Sequence, residues 1–534
     1  MRDSTTPNIG RDSSGNPVAT PRGAATSETR PADSPHDGTH VVIVGGGMAG
    51  LSAAWRLLLD RELAHSSPTS PEDVTLKGDL EKIRDGLRVT VIEGQQRLGG
   101  NIHSERQDGF LLEWGPNGFL DNAPETPRLC RLLGLEKRLL PARDAAAHRF
   151  LYVRGRLRPL PLSPAAFLGA SVLTIPGRLR VLREPFVPPR PDARESVFDF
   201  AARRIGREAA ETLVDAMVSG VFGGDSRQLN LSSAFPKLHT LEKEHGGLVR
   251  GMIAKAREAR RERGGQPRRR SGPAGPGGVL TSFDEGMEVL VQTLARALGQ
   301  SGRCGIETGV AARATSPRAP GSRPTAEGKR RWTVSLADGR SLEADAVIIC
   351  VPSQRAGVLV RDFDPQLETT LRAIPEAPMS VVALAFTRRE VGAMADGFGF
   401  LVPRRQGPRV LGVLWDSCIY PNRAPEEMVL MRAMLGGAHD PAAMDLTDEA
   451  MLATVRDDLR LTMGLAAEPV RTWIFRHRHG IPQYTAGHPE RLEAIEQRRL
   501  LHPGLYLAGN LYRGIAVNHV VENSIPLARQ VLAG

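Results

Sequence analysis

The sequence predicts an α/β plus α+β chain of two or three domains, on three observations. Residues 40–58, HVVIVGGGMAGLSAAWRLL, read as a short buried strand, a glycine turn and a helix. From about Pro124 to Gly299 the apolar residues recur mostly at three- and four-residue spacing, the helical period. Residues 331–352, RWTVSLADGRSLEADAVIICVP, alternate as a hairpin and end in a buried strand that would return the chain to the first domain. A mixed strand-and-helix region follows over about 370–470, and residues 505–532 again read strand, glycine turn, helix. At 534 residues the chain exceeds what one hydrophobic core organises. It contains no internal repeat.

The first unit carries Gly45-x-Gly47-x-x-Gly50 between strand and helix, with Met48 and Ala49 inside the motif. Such glycines permit a tight turn and let the backbone approach a pyrophosphate, which is attracted to the free N–H groups at the start of the helix. A second strand reads over Leu87–Glu93. Glu93 at its end suits the hydroxyls of a ribose and would repel the 2′-phosphate of NADP. In an uninterrupted unit that acid follows the glycines by about 20 residues. Here it lies much further on, so residues 60–85 are predicted to be an insertion.

Hydrophobic content of 41% and charged content of 24% are those of a soluble globular protein. The net charge of +10 is concentrated, with nine basic residues from Arg250 to Arg270 against Glu258 and Glu262. A solvated loop is the simple reading of that run, and contact with an acidic surface the other. Residues 262–278 are of low complexity. Cys130, Cys304, Cys350 and Cys418 form no CxxC pair and no ligand spacing, so no metal is expected and a reducing cytoplasm fits. No apolar run reaches the roughly 20 residues that span a bilayer. Residues 1–39 are rich in Ser, Thr, Pro and Gly, lack the apolar core of a signal peptide, and carry Asp3, Asp12, Glu28, Asp33 and Asp37. They are expected to be a disordered tail.

Directly after the second strand stand Gln96-Arg97-Leu98-Gly99-Gly100-Asn101, then Trp114-Gly115-Pro116-Asn117. This extension resembles the FAD-containing amine oxidase superfamily rather than nicotinamide dehydrogenases. The LAGN turn with Gly509 and Gly514, followed by Ile515-Ala516-Val517, resembles that superfamily's closing motif, in which a helix N-terminus faces the isoalloxazine ring. Residues 305–312, GIETGVAA, resemble its adenine-binding strand, where Val310 would make contact through its backbone. The resemblance implies non-covalent FAD. The groups expected to hold it are Gly45, Gly47, Met48, Ala49, Gly50, Glu93, Arg97, Gly100 and Asn101, with Gly115, Pro116, Asn117, Val310, His477, Gly509, Ile515, Ala516 and Val517 from further along.

A narrower set is collinear from about residue 40 to 534. It comprises His148 to Tyr152 with Arg154 to Leu157, Val218 to Asp225, Phe235-Pro236, Gly397-Phe398-Gly399 with Leu401-Val402-Pro403, Pro421 to Pro425, Ile481 to Tyr484 with Gly487-His488, and Gly514 to Asn518. This set resembles the oxygen-dependent protoporphyrinogen oxidases. The resemblance implies that Arg149 binds a substrate propionate, as a guanidinium suits a carboxylate. It also implies that Phe398, Leu401 and Met434 line an apolar pocket, and that the backbone of Gly220 approaches the macrocycle. By pattern alone each of these apolar residues reads as ordinary core. Two positions depart from the pattern. Asn117 stands where animal members have arginine and plant members asparagine, and His477 where many members have tryptophan.

The activity implied is FAD-dependent six-electron oxidation of protoporphyrinogen IX to protoporphyrin IX, with O2 as acceptor and H2O2 released, in heme biosynthesis. No acid–base residue is assigned. Coproporphyrinogen III is the alternative substrate, and a non-catalytic flavin- or porphyrin-binding protein the alternative of another class. Amine oxidation is disfavoured because the last lysine is Lys329 and no cysteine follows Cys418. The expected architecture is a Rossmann-type FAD-binding domain (40–123, 300–355 and 485–534), a helical membrane-associating domain (124–235) and a mixed-sheet substrate domain (236–299 and 356–484) with a basic mobile loop near 257–278. The partners expected are a tetrapyrrole and O2, with no nucleic acid. A homodimer, peripheral contact with the inner face of the cell membrane from the cytoplasm, and hand-off to the next heme-pathway enzyme are compatible with this reading.

Overall fold

The HVVIV run is apolar on both faces because it forms the centre of a parallel sheet covered on both sides. The structure, a computed structural model, describes residues 38–58, 86–161, 164–190, 192–262, 278–318 and 331–534. Nearly all of the expected tail, the insertion at 60–85 and most of the basic loop near 257–278 lie outside the described residues. Strand β1 (His40–Val44) leads into helix α1 (Met48–Leu58), and β2 (Arg88–Glu93) pairs beside β1. The five-stranded order is Cys304–Thr308, β2, β1, Ala346–Ile349, Leu505–Leu507, all parallel. Val41 and Ile43 face α1 and the helices Glu288–Gln300 and Val517–Ala533, while Val42 and Val44 face a second layer containing Trp332, Leu359 and Leu367. All five strands fall in the segments expected to bind FAD. Helix Glu288–Gln300 does not follow the expected boundary: assigned to the substrate domain, it packs on α1 through residues such as Leu294.

The second sheet has seven strands in the order Arg471–Pro482, Glu376–Thr387, Met428–Gly436, Gly412–Leu414, Gly399–Leu401, Arg149–Val153, Arg156–Pro159. It is mixed, since Gly399–Leu401 runs parallel to Arg149–Val153 and the other pairs are antiparallel. Its last two strands come from the segment expected to be helical; the alternation in RFLYV is that of a strand with both faces covered. One face of this sheet, with Val382, Leu384, Met431 and Ala433, packs on Met451, Val455 and Leu459 of helix Asp448–Met463. The other face is the one that builds the site.

Helices Ile175–Leu182, Val197–Ile205 and Asp215–Phe222 form a helical layer. Helices Pro236–His245 and Leu248–Glu262, expected in the substrate domain, join this layer instead. Glu242 accepts from Arg203 at 2.8 Å and from Arg204 at 3.3 Å, and Arg204 is also paired with Glu184. Among the described residues no helix is long and apolar enough to cross a membrane.

Candidate functional site

The glycine turn after β1 is shaped to leave backbone exposed on one side. Gly45 has φ +112°, and a Cβ there would come within 2.6 Å of the Cys350 carbonyl oxygen. A Cβ on Gly50 would overlap the Gly45 carbonyl. A Cβ on Gly47, by contrast, would meet nothing nearer than Gly100 Cα at 3.8 Å, so that side stays open. The first N–H groups of α1, starting at Met48 and Ala49, have no partner inside the helix. This cradle fits a pyrophosphate. The second glycine pair is drawn against it by Gly99 N–H, which donates to Gly46 O at 2.9 Å.

Glu93 does more than the sequence indicated. One carboxylate oxygen accepts from Gly46 N–H and the other from Gln95 N–H, both at 2.8 Å. It thereby fixes the glycine turn, and its remaining lone pairs are available to ribose hydroxyls. Val310 donates its N–H to Glu93 O at 3.1 Å, so the contact expected of its backbone falls to its carbonyl. Arg97 is spent on its own loop: it donates to Leu98 O at 3.2 Å, Ile102 O at 3.0 Å and Gly100 O at 2.6 Å.

Residues distant in sequence meet at the far end of this cradle. Asn101 Nδ2 donates to Gly480 O at 3.0 Å, and a Cβ on Gly115 would overlap the Asn101 carbonyl. His477 Nε2 lies 2.6 Å from Trp114 O. A carbonyl only accepts, so Nε2 carries the hydrogen. Burial holds this imidazole's pKa below its usual range. Gly509 has φ +116°, and a Cβ on it would lie 3.7 Å from that of Ala49, which sets the LAGN turn against the start of α1. Ile515 packs beside Phe222 and Tyr484, and Ala516 is the extended residue at the start of helix Val517–Ala533 with no side-chain cap. Pro116 stands between Gly115 and Asn117, whose Nδ2 donates to Asp416 at 3.2 Å. The glycine cradle, Glu93, the Asn101 loop and the LAGN turn are thus brought together, and their chemistry suits FAD.

Three of the expected substrate residues, Arg149, Leu401 and Met434, share one face of the seven-stranded sheet. Paired positions on neighbouring strands point to the same side. The register gives one transverse row of Arg149, Gly399, Leu414, Arg432 and Ala383, and the next of Leu151, Leu401, Gly412, Met434 and Val381. His477, opposite Met379, lies one step further along. Leu401 is wedged between glycines: a Cβ on Gly220 or on Gly412 would come within 2.7 Å of its Cδ2. The guanidinium carbon of Arg149 lies 4.5 Å from the centre of the Phe398 ring. Arg149 Nε is buried with no hydrogen-bond partner. Burial alone lowers its pKa, with no carboxylate to offset it among the described residues.

The other buried arginines of this region are paired, and sequence reasoning missed them. Arg432 Nε lies 3.0 Å from Asp416 Oδ2, and Arg423 lies 3.2 Å from Glu113. The available signal was alternation: a strand that places Met434 inward also places Arg432 inward. Asp215, Asp225 and His439 bring their ligand atoms within 4.8 Å of one another. Arg404 donates to Asp225 at 2.7 Å and to Asp215 at 3.2 Å, so this is an ion-pair cluster.

The profile of the flavin containing amine oxidoreductases matches residues 48–532. The chain belongs to that family. Its cofactor is FAD and it is an oxidoreductase. Protoporphyrinogen oxidase of Homo sapiens is 32% identical over 520 residues, covering 93% of this chain and 98% of that one. Coproporphyrinogen III oxidase of Bacillus subtilis (strain 168) is 27% identical over 494 residues, covering 90% and 96%. A crystal structure from Exiguobacterium sp. 255-15 superposes with a TM-score of 0.74 at 23% identity over 93% of this chain and all of that one. Putrescine oxidase bound to putrescine gives 0.61 at 15% identity, over 94% of this chain and 100% of its own. These two likenesses are of fold. The family's fold is thus an α/β nucleotide sheet joined to a mixed sheet, as expected from the sequence.

Proposed function

We propose that this flavoenzyme oxidises protoporphyrinogen IX to protoporphyrin IX, passing six electrons to O2 in three two-electron steps with release of H2O2. The observation that carries the reading is Arg149, a buried guanidinium with an unpartnered Nε, stacked beside Phe398. FAD supplies the hydride acceptor and the route of electrons to O2. The protein's part is recognition and orientation. Arg149 meets a propionate through charge-assisted hydrogen bonds. Phe398, Leu401 and Met434 give the macrocycle apolar walls, and Gly220, having no Cβ, lets Leu401 pack closely against its helix. Pyrrole protons leave to solvent.

The human relative supports protoporphyrinogen as substrate. The Bacillus subtilis relative supports coproporphyrinogen III as the second reading. Arg432, Arg423 and Arg404 are each engaged by a carboxylate. Arg149, with no carboxylate beside it among the described residues, offers the ligand one guanidinium, which suits the substrate with two propionates better than the one with four. The test offers both porphyrinogens in air, following porphyrin fluorescence and peroxide. Fast oxidation of the first with about three peroxides per porphyrin, as three two-electron flavin cycles require, supports the reading. Preference for the second moves the enzyme to coproporphyrin, and oxidation of neither removes the substrate assignment.

The helical layer supports peripheral contact with a membrane. Ile175, Leu179, Leu182 and Phe186 recur at helical spacing and are 66%, 58%, 49% and 83% exposed. Met252 and Ile253 are exposed on helix Leu248–Glu262, which packs on the turn carrying Phe186. Arg183, Arg250 and Lys255 are exposed on the same elements. An apolar row with adjacent cations suits an anionic bilayer surface. Sedimentation with anionic vesicles, lost on Phe186→Ser with Leu179→Ser, tests it.

A further inference from the structure

The turn 113–117 is gripped at both ends by one buried ion pair. Arg432 and Asp416 expose only 4% and 2% of their side chains. Arg432 donates from Nη1 to the carbonyl oxygens of Glu113 and, at 3.1 Å, of Gly115. Asp416 Oδ1 accepts from Asn117 Nδ2 at 3.2 Å. Burial raises the Asp416 pKa, and the guanidinium groups of Arg432 and Arg423 oppose that shift. Asp416 Oδ2 lies 3.0 Å from Arg432 Nε, and Asp416 Oδ1 lies 3.3 Å from Arg432 Nη2.

These contacts decide which way the Asn117 carboxamide points. The Asn117 atom facing Asp416 is the nitrogen, and Oδ1 is turned away. That oxygen is buried and has no hydrogen-bond partner. A buried acceptor without a donor is costly, and a bound N–H would relieve the cost. The turn belongs to the converging cofactor residues, and Arg432 lies in the sheet row that begins with Arg149. Asn117 therefore stands between the two halves of the site.

We propose that the Arg432–Asp416 pair positions the Asn117 carboxamide so that Oδ1 accepts a hydrogen bond from a pyrrole N–H of the bound porphyrinogen; this rests on the substrate reading above. The inner nitrogens of a porphyrinogen are all N–H donors, so an acceptor-only group suits them. In each oxidation a meso C–H bond breaks with its electron pair, which goes to FAD, and the macrocycle becomes cationic. A neighbouring N–H is then more acidic and loses its proton to solvent as the new double bond forms; after the last step the remaining saturated meso carbon passes a proton to a ring nitrogen by tautomerisation, so that every meso carbon keeps one hydrogen and two nitrogens keep theirs. The Asn117 bond is strongest while that charge develops, so its loss weighs on kcat more than on KM.

Three FAD-loaded variants assayed with protoporphyrinogen IX test this. Asn117→Leu removes the acceptor and leaves the ion pair in place. Its kcat is expected to fall about tenfold with KM within about twofold, the size of one hydrogen bond to a developing charge. Its FAD content, measured by fluorescence on reconstitution, is determined in parallel, and kcat is taken per bound FAD. Asp416→Asn lets residue 416 donate as well as accept, so the carboxamide loses its fixed direction and kcat falls similarly. The double variant Asn117→Asp with Asp416→Asn exchanges the partners, keeps the charge, and leaves an acceptor oxygen facing the ligand. Recovery of kcat to within about threefold of wild type supports positioning, because a merely structural pair would not be rescued. A double variant as slow as Asp416→Asn, or an Asn117→Leu enzyme with unchanged kcat, overturns it. A wild-type enzyme that oxidises no porphyrinogen takes down the substrate reading, and this inference with it.

Discussion

Gly220 lies so close to Leu401 that a single added methyl would come within 2.7 Å of the leucine Cδ2. The contact joins helix Asp215–Phe222 to the site face of the seven-stranded sheet. Gly220→Ala sets two effects against each other. Alanine in a helix is favoured over glycine by about 1 kcal/mol. The Leu401 methyls must move to admit it, and a flexible side-chain end can do so. The expected outcome is a melting temperature within a few degrees of wild type and a KM raised severalfold, because Leu401 is displaced into the pocket. A lowered melting temperature with unchanged KM would mean that the leucine turns away from the ligand.

Arg149 gives a prediction of the opposite kind. Its burial costs the folded protein something that no carboxylate among the described residues offsets. Arg149→Ala is therefore expected to leave thermal stability equal or higher. The same change removes a charge-assisted contact of about 1.5–3 kcal/mol, which lowers kcat/KM by roughly 10- to 150-fold, mainly through KM. Steady-state kinetics alongside a melting curve check both halves. An enzyme that loses stability but keeps its KM would place Arg149 in the scaffold.

The stability of the fold should fall as pH rises from about 4.5 to about 7. Burial lifts the Glu113 carboxyl from its ordinary 4.5 to about 7, despite Arg423, Ser104 and the Met287 N–H, which favour the ionised form. The unfolded chain releases this proton near pH 4.5, and the folded chain holds it until about 7. The folded state thus binds more protons across that window. Its contribution is complete below the window and lost by the top of it, on the order of 3 kcal/mol. Glu113→Gln removes the titration. Denaturant unfolding at pH 5 and pH 8 should show a smaller loss of stability in the variant than in wild type. Equal losses would mean that the carboxylate is ionised throughout.

Glu93→Ala probes the cradle. The substitution frees the N–H groups of Gly46 and Gln95, both held at 2.8 Å, and removes the partner of the ribose. A loss of about 1.5–3 kcal/mol in FAD binding is expected, or roughly 10- to 150-fold in Kd. Because FAD binds only the folded state, the holoenzyme's melting temperature at a fixed FAD concentration falls with it. Retention of FAD at wild-type affinity through gel filtration and reconstitution would confine Glu93 to a structural part.

The nucleotide sheet was legible in the sequence because its signals are local. The apolar run of β1, the three glycines and the acid closing β2 each declare themselves within a few residues. The site face of the second sheet was less so. Arg149, Leu401 and Met434 came forward only through family resemblance, since alternation says that they share a side of their strands and not which strands are neighbours. The Arg432–Asp416 and Arg423–Glu113 pairs were missed for the same reason: each joins residues whose nearness depends on tertiary register. The helices at 236–262 and 288–300 were placed with the wrong layer because an amphipathic pattern reports an apolar face and not what it packs against. Phe398 and Arg149 illustrate the limit, as nothing local to either predicts that they stack.

Asn518 of the final helix donates to the Leu120 carbonyl at 2.8 Å, and strand Leu505–Leu507 closes the edge of the parallel sheet beside Ala346–Ile349. The groups proposed to face FAD therefore come from both extremes of the described chain, with α1 packed on the final helix. During synthesis on the ribosome, residues 40–120 must wait for residues 505–533 before the flavin can be enclosed. Cofactor loading for this reason waits until residues 505–533 have been made, and a nascent chain still lacking them would expose the apolar sheet and α1 to whatever chaperone attends it.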